Sequence, residues 1–321
     1  MTQLSFFGPN EAGPDPKPDG DAPVRLRLLI TVKAAPNPSE KYGETVCVAA
    51  LSIDPLRPGW VRLYPINHRE LTSDDRFRKY EIISVMARPA RRDQRRESWK
   101  PIIETIAREA YLPPWEKRRR YLDPWVEESM CRLNRAVRDR PDAQSLALIR
   151  PARVDGLRVT PHGGWTPSEQ RKIDAYVSQL DLLDNRDRVP LEAPRFRAAY
   201  RYQCHEPGCK GHLQGLLDWE LVALQRRLRG CSDAELRQAI EEKFLHELCA
   251  PTRDVAFYVG NQAKRVNVFS VLGVYWPPKR QPNVSMRPPA RRHGGSAVDP
   301  PRSTAPPPAR VGRPRQSHRA P

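Results

Sequence analysis

Apolar, β-branched residues recur in short runs from Val24 onward. Val24–Val32 is the first run and Thr45–Ile53 the second. Trp60–Ile66 alternates apolar and polar positions, as a strand with one buried face does, and Tyr80–Ala87 is a fourth candidate. The links are short and carry turn formers, Pro36-Asn37-Pro38-Ser39 and Asp54-Pro55-Leu56-Arg57-Pro58-Gly59. Four strands at this spacing predict an antiparallel sheet or a small open β-barrel.

The pattern changes near Glu97. Residues 97–140 are helical in composition, with breaks at Pro113-Pro114 and Pro124, and read as a helical insertion in a β-rich domain of residues 24–160. Ser145–Ile149 and Leu157–Thr160 read as strands again. Thr166, Pro167 and Glu169 have the spacing of a capping box, which predicts a helix to about Leu183. Leu221, Leu224 and Leu228 follow Asp218 at helical spacing, and Gly230 ends that helix. Ser232 and Glu235 make a second capping box and open a helix to about Cys249. Val255–Val259 and Val266–Trp276 read as closing strands across a Gly260-Asn261 turn. The expected fold class is α+β: an N-terminal antiparallel sheet or small open β-barrel, plus a helix-containing C-terminal unit over residues 161–278.

Composition trims both ends. Twelve of the 35 prolines lie in Pro277–Pro321, and the first 23 residues are rich in Pro, Gly and Asp. This predicts a disordered leader over 1–23 and a disordered, basic Pro/Arg-rich tail over 279–321. The net charge is +17, and the tail supplies ten Lys/Arg against the single acid Asp299. Residues 1–276 keep 45 basic against 37 acidic residues, so the folded part is moderately basic. Such a charge favours polyanions without conferring specificity. No apolar run approaches a membrane span, and no secretory h-region opens the chain. The expectation is a cytoplasmic protein with reduced thiols and no membrane partner.

Metal-ligand residue types converge at Tyr200-Arg-Tyr-Gln-Cys204-His205-Glu-Pro-Gly-Cys209-Lys-Gly-His212. An aromatic strand leads in, Pro207, Gly208 and Gly211 allow a reversal, and a helix follows. This is the layout of a small zinc knuckle around Cys204, Cys209 and His212. A closed zinc site needs a fourth ligand. His246 and Cys249 lie three apart on one side of a helix and are the candidates, with Cys231 and His205 behind them. Any zinc here is structural; without it the stretch is a turn with buried reduced thiols, or a disulfide. Asp218-Trp219-Glu220 admits a Mg²⁺-binding carboxylate pair, but reads more simply as a helix N-cap and a first-turn acid. His68, after a strand end, is a candidate base that reads equally as a solvated loop histidine.

Three basic clusters stand out. Arg91, Arg92, Arg95 and Arg96 lie in one, Arg118, Arg119 and Arg120 in the second, with Trp99, Tyr111, Trp115, Tyr121 and Trp125 nearby, and Arg226, Arg227 and Arg229 in the third; the first two supply the expected nucleic-acid contacts. Arginine grips phosphate bidentately and aromatic rings stack on bases, so this mixture suits DNA or RNA. The competing reading is a solvated helix face whose aromatic residues point into the core. There is no Gly-rich phosphate loop, dinucleotide fingerprint, Gly-x-Ser-x-Gly elbow or His-Glu-x-x-His helix.

Through Lys41-Tyr-Gly-Glu44-Thr-Val-Cys47, Trp60-Val-Arg-Leu-Tyr-Pro65 and the Cys204…His212…Asp218-Trp219-Glu220 stretch, residues 28–278 resemble an uncharacterised group of bacterial hypothetical proteins. That resemblance implies no activity and no site residues. The strand count also resembles PUA-like and ASCH-type barrels, by analogy only. The expected function is nucleic-acid-associated binding. A metal-dependent nuclease or base-modifying enzyme is the alternative, and an accessory protein acting through a protein partner the second.

Overall fold

The four apolar runs of the first ninety residues become walls of one barrel. In this computed structural model the described residues are 17–41, 43–67, 76–93, 95–140, 142–178, 189–263 and 265–280. Residues 1–16 of the expected leader, His68, Leu183 and the chain beyond 280 lie outside them.

Strand β1 (Val24–Lys33) leads through a short β2 (Asn37–Ser39) to β3 (Gly43–Ser52), β4 (Gly59–Ile66) and β5 (Glu81–Pro89). Then come β6 (Ser98–Pro101) and β7 (Ala107–Tyr111). β1, β3, β4, β6 and β5 are neighbours in that order, and β5 pairs back onto β1 from Val24↔Ala87 to Leu29↔Ile82. A barrel is therefore present, and it is closed where an open one was the expectation. β6 closes it through a parallel pairing with β4, Arg62↔Ser98 and Leu63↔Trp99. Ser98–Pro101 and Ala107–Tyr111 are strands where composition predicts helix, because Trp99 is drawn into the barrel core and prolines flank the segment.

Much of the barrel wall is covered on both faces, so Val24–Val32 and Thr45–Ile53 read as continuous apolar runs, and Trp60–Leu63, expected to alternate, is buried on both faces. Leu28, Ile30, Val48, Val61, Leu63 and Val85 fill the interior. Leu29, Ala49, Leu51, Trp60 and Ile82 face outward and pack on Leu146, Leu148, Tyr258, Leu272 and Tyr275.

Beyond the barrel come α1 (Glu116–Leu122), β8 (Val126–Glu127), α2 (Met130–Asp139), β9 (Leu146–Ile149), β10 (Arg153–Pro161) and α3 (Pro167–Val177). The remainder is β11 (Phe196–Gln203), β12 (His212–Gly215), α4 (Trp219–Arg227), α5 (Asp233–Glu241), a π-helical turn at Glu242–Glu247, β13 (Ala256–Gln262) and β14 (Arg265–Tyr275). The sheet β8-β9-β13-β14 lies against the barrel, and β10-β11-β12 forms a second sheet. Both capping boxes form as expected, at Thr166/Glu169 and Ser232/Glu235. The closing hairpin is longer than its sequence implies: Gly260 and Asn261 sit inside β13. Gly260 is there for close packing, since a Cβ would lie 2.7 Å from Leu272 Cδ1 and 2.9 Å from Leu146 Cδ2. Among the described residues no helix is long and apolar enough to cross a membrane.

Candidate metal centre

Strand β11 alternates strictly. Phe196, Ala198, Tyr200 and Tyr202 are buried, while Arg197 and Arg201 are exposed. The inward parity delivers Cys204 into the core at 4% exposure. The chain then reverses. Gly208 (φ +76°) and Gly211 (φ +93°) take left-handed conformations that a side chain would strain. Gly211 sets the return, so that β12 pairs with β11 through Tyr202↔His212.

The turn docks on the start of α2. Ser129 caps that helix by accepting from Arg132 N, and its hydroxyl in turn donates to Glu206. Glu206 also accepts from Arg135, and His205 N donates to Glu128 O. This docking brings Cys131, the second residue of α2, over the turn. The Sγ atoms of Cys131 and Cys204 are 3.7 Å apart. His212 Nε2 lies 3.6 Å from Cys131 Sγ, 3.4 Å from Cys204 Sγ and 3.3 Å from Cys209 Sγ. All four donor atoms fall within 4.8 Å of one another. A tetrahedron with metal–sulfur bonds near 2.3 Å and a metal–nitrogen bond near 2.0 Å has edges of about 3.5–3.8 Å. Four of the six donor separations already lie near those edges, and the cluster can hold one metal ion. The Tyr202 ring, 5.1 Å from the imidazole, holds His212 in place.

The thiols interfere with each other's ionisation. Burial and the neighbouring Cys204 and Cys209 push Cys131 up to about 12. Burial also opposes ionisation of Cys204, but hydrogen bonds led by His212 bring it down to about 6. Bringing all three sulfurs to the thiolate form would need a cation to offset their repulsion.

The fourth corner is Cys131, and His246 and Cys249 are elsewhere. The helix expected to carry them ends in the π-helical turn, which rotates Cys249 so that its thiol donates to Phe244 O at 3.5 Å. Burial lifts Cys249 to about 12, and His246 is exposed. The Tyr200 hydroxyl donates to the same Phe244 carbonyl, satisfying a group that the π turn frees. Nothing local marks Cys131 as a ligand: it stands alone in α2, 73 residues before Cys204.

Asp218 is the N-cap of α4, its side chain accepting from Glu220 N at 2.9 Å. Burial lifts its carboxyl to about 7, even with Lys79 close by. Glu220 pairs with Lys79 at 3.6 Å. The two acids therefore have partners within the fold.

Of the seven arginines expected to face nucleic acid, three are interior. Arg95 is buried, holding Asp93 and donating to Asn261 O at 2.8 Å. Arg118 donates to Leu112 O at 2.9 Å and to the Tyr111 hydroxyl, with its guanidinium 3.9 Å from the Tyr80 ring centre. Arg119 pairs with Asp123 and Asp254 at 3.2 and 3.5 Å. Arg91 is tied to Asp21, and Arg96 donates to Asp142 O. Arg92 and Arg120 are exposed.

A different basic group is open to solvent. Arg158, Arg197 and Arg201 are exposed, and among the described residues they form no hydrogen bond or ion pair. Arg158 is directly opposite Ala199, which lies between Arg197 and Arg201, so all three share the outward face of β10-β11-β12. Gly156 and Gly215 are on this face too, with Leu213 51% exposed beside them. The signal was the alternation Phe196-Arg-Ala-Ala-Tyr-Arg-Tyr, which places two arginines on one face of one strand.

Two family models match the chain. One, Domain of unknown function (DUF8758), matches residues 24–124, the barrel with β7 and α1. The other, Domain of unknown function (DUF8757), matches residues 126–291 and contains all four Cys/His donors. No curated protein matches the chain.

Proposed function

Given that the chain belongs to the family Domain of unknown function (DUF8757), we propose that it is a nucleic-acid-associated protein that holds a single strand on the outward face of β10-β11-β12. In this reading a structural zinc ion, bound by Cys131, Cys204, Cys209 and His212, anchors one end of that sheet. The observation that carries it is the arginine triangle. Three guanidinium groups repel one another unless an anion lies between them. Diagonal neighbours on a sheet face are about 7–8 Å apart, within reach of successive phosphates of an extended strand. Gly156, Ala199 and Gly215 leave the centre of the face low, and exposed Leu213 offers an apolar contact to a base.

Zinc is favoured over other divalent ions by the donor set, since three thiolates and one imidazole are soft and borderline ligands in tetrahedral array. The ion contributes folding energy and leaves no open position for a substrate. Its residues act by holding α2, the turn and β12 together, so that Arg201 and Leu213 keep their register.

A mobility shift with single-stranded DNA and RNA, at rising salt and with and without Mg²⁺, tests this. Binding that weakens with salt and is lost in Arg158→Glu/Arg201→Glu supports the reading. No shift at low salt with either polymer refutes it, and cleavage in Mg²⁺ makes the protein an enzyme instead.

A further inference from the structure

A cavity of about 160 Å³ opens where the barrel, α4 and the β10–α3 loop meet. Its walls are apolar and aromatic: Trp165, Phe196, Leu217, Leu221 and Val222. Trp165 is fixed before any ligand arrives, because its indole N–H donates to Leu191 O at 2.7 Å. The His162 ring stands edge-on to it, 5.2 Å between centroids.

The polar groups around the cavity divide into used and unused. Gln225 is fully engaged, accepting from Phe196 N at 2.8 Å and donating to Phe196 O at 3.1 Å. Asp218 is committed to the α4 cap. His162 Nδ1, by contrast, is buried and has no hydrogen-bond partner. Burial and Arg197 lower the pKa of this imidazole, against smaller opposing pulls from the Gly164 backbone and Glu169, which favours the neutral ring that exchanges one hydrogen bond with a neutral ligand. Arg197 and Glu192 are exposed, so ligand charge is met only at the rim.

We propose that this cavity is a binding pocket for one uncharged, pyrimidine-sized heteroaromatic ring, a base turned out of the strand that lies on the arginine face. Size comes first: an apolar protein cavity of about 150 Å³ takes a benzene ring, so this one takes a single substituted ring. Chemistry comes second. A plain hydrocarbon would leave His162 Nδ1 unsatisfied, and an ion would lose its hydration among apolar walls. A heteroaromatic ring offers a π-face to Trp165 and Phe196 and an edge to His162. Continuity comes third. Arg197 and Gly215 line the cavity and also belong to the exposed sheet face. The source of the ring rests on the strand-binding reading; the pocket itself does not.

Isothermal titration of the full chain with uridine, cytidine and thymidine, and separately with benzene, tests the pocket without phosphate. The expected result is binding of at least one nucleoside, weakened tenfold or more in Val222→Phe, which fills the cavity, and in His162→Ala, which leaves it open. The same nucleoside should bind Arg158→Glu/Arg201→Glu unchanged and should compete with an oligonucleotide for the wild-type protein. No nucleoside binding at millimolar concentration overturns the proposal, as does benzene binding alone or an undiminished affinity in His162→Ala. Nucleoside binding without oligonucleotide binding at any salt keeps the pocket and removes the strand.

Discussion

Cys131→Ala removes the one donor of the proposed metal site that comes from outside the β11–β12 turn. In the proposed site an ion would join α2 to the turn, since Cys131 Sγ lies 3.7 Å from Cys204 Sγ and 3.6 Å from His212 Nε2. Structural zinc binds with roughly 10–16 kcal/mol in small peptides, so one of four ligands accounts for about 3 kcal/mol. That loss is on the order of 100-fold in zinc affinity. Cys204, Cys209 and His212 remain, so the variant should still bind zinc weakly. Competition with a chromophoric chelator measures the affinity, and melting with and without chelator measures the stability coupled to it. Cys249→Ser and His246→Ala are the controls and should retain one tightly bound zinc per chain. Wild-type zinc affinity in Cys131→Ala, or loss of zinc in either control, refutes the four-ligand assignment.

Three further outcomes follow from the same geometry. Tyr200→Phe leaves the Phe244 carbonyl of the π turn with only the Cys249 thiol as donor and should cost about 0.5–1.5 kcal/mol in denaturant unfolding, with zinc content unchanged. Asp218 titrates near 7 when folded against 3.8 as a free carboxyl, so between those values the native state keeps a proton that the unfolded chain loses. Stability should therefore fall as pH rises from about 4 to about 7, by up to roughly 4 kcal/mol, and Asp218→Asn, which keeps the cap, should flatten that slope in urea titrations. Arg118→Ala should lower the melting temperature by several degrees through loss of its bonds to Leu112 and Tyr111, whereas exposed Arg120→Ala should leave it unchanged.

Local signals in the chain carried much of this fold. Both capping boxes, the Asp218 cap and the barrel strands were legible because each rests on residues a few positions apart. So was the knuckle, whose turn residues and thiols lie within one short segment. What could not be read depends on distant chain segments. Ser98–Pro101 becomes a strand only because β4 and β5 hold it, and no periodicity in four residues reveals that. Cys131 joins the Cys/His cluster only because Glu206 ties the turn to Ser129 and Arg135. The arginine clusters misled for a related reason. Runs such as Lys117-Arg-Arg-Arg120 must wind around a helix, which turns Arg118 and Arg119 inward while Arg120 stays out. Charge density in sequence and charge density on a surface diverge wherever a helix is half buried.

The salt dependence of single-strand binding is the most direct measure of the central claim. Each phosphate contact on a single strand contributes about 0.7 to the slope of log affinity against log salt. If Arg158, Arg197 and Arg201 each hold a phosphate, replacing all three by Ala should reduce that slope by about 2 while zinc content and melting temperature stay at wild-type values. An unchanged slope in a folded, zinc-replete triple variant would place nucleic acid elsewhere on the protein or exclude it, and the role assigned to this sheet face would be wrong.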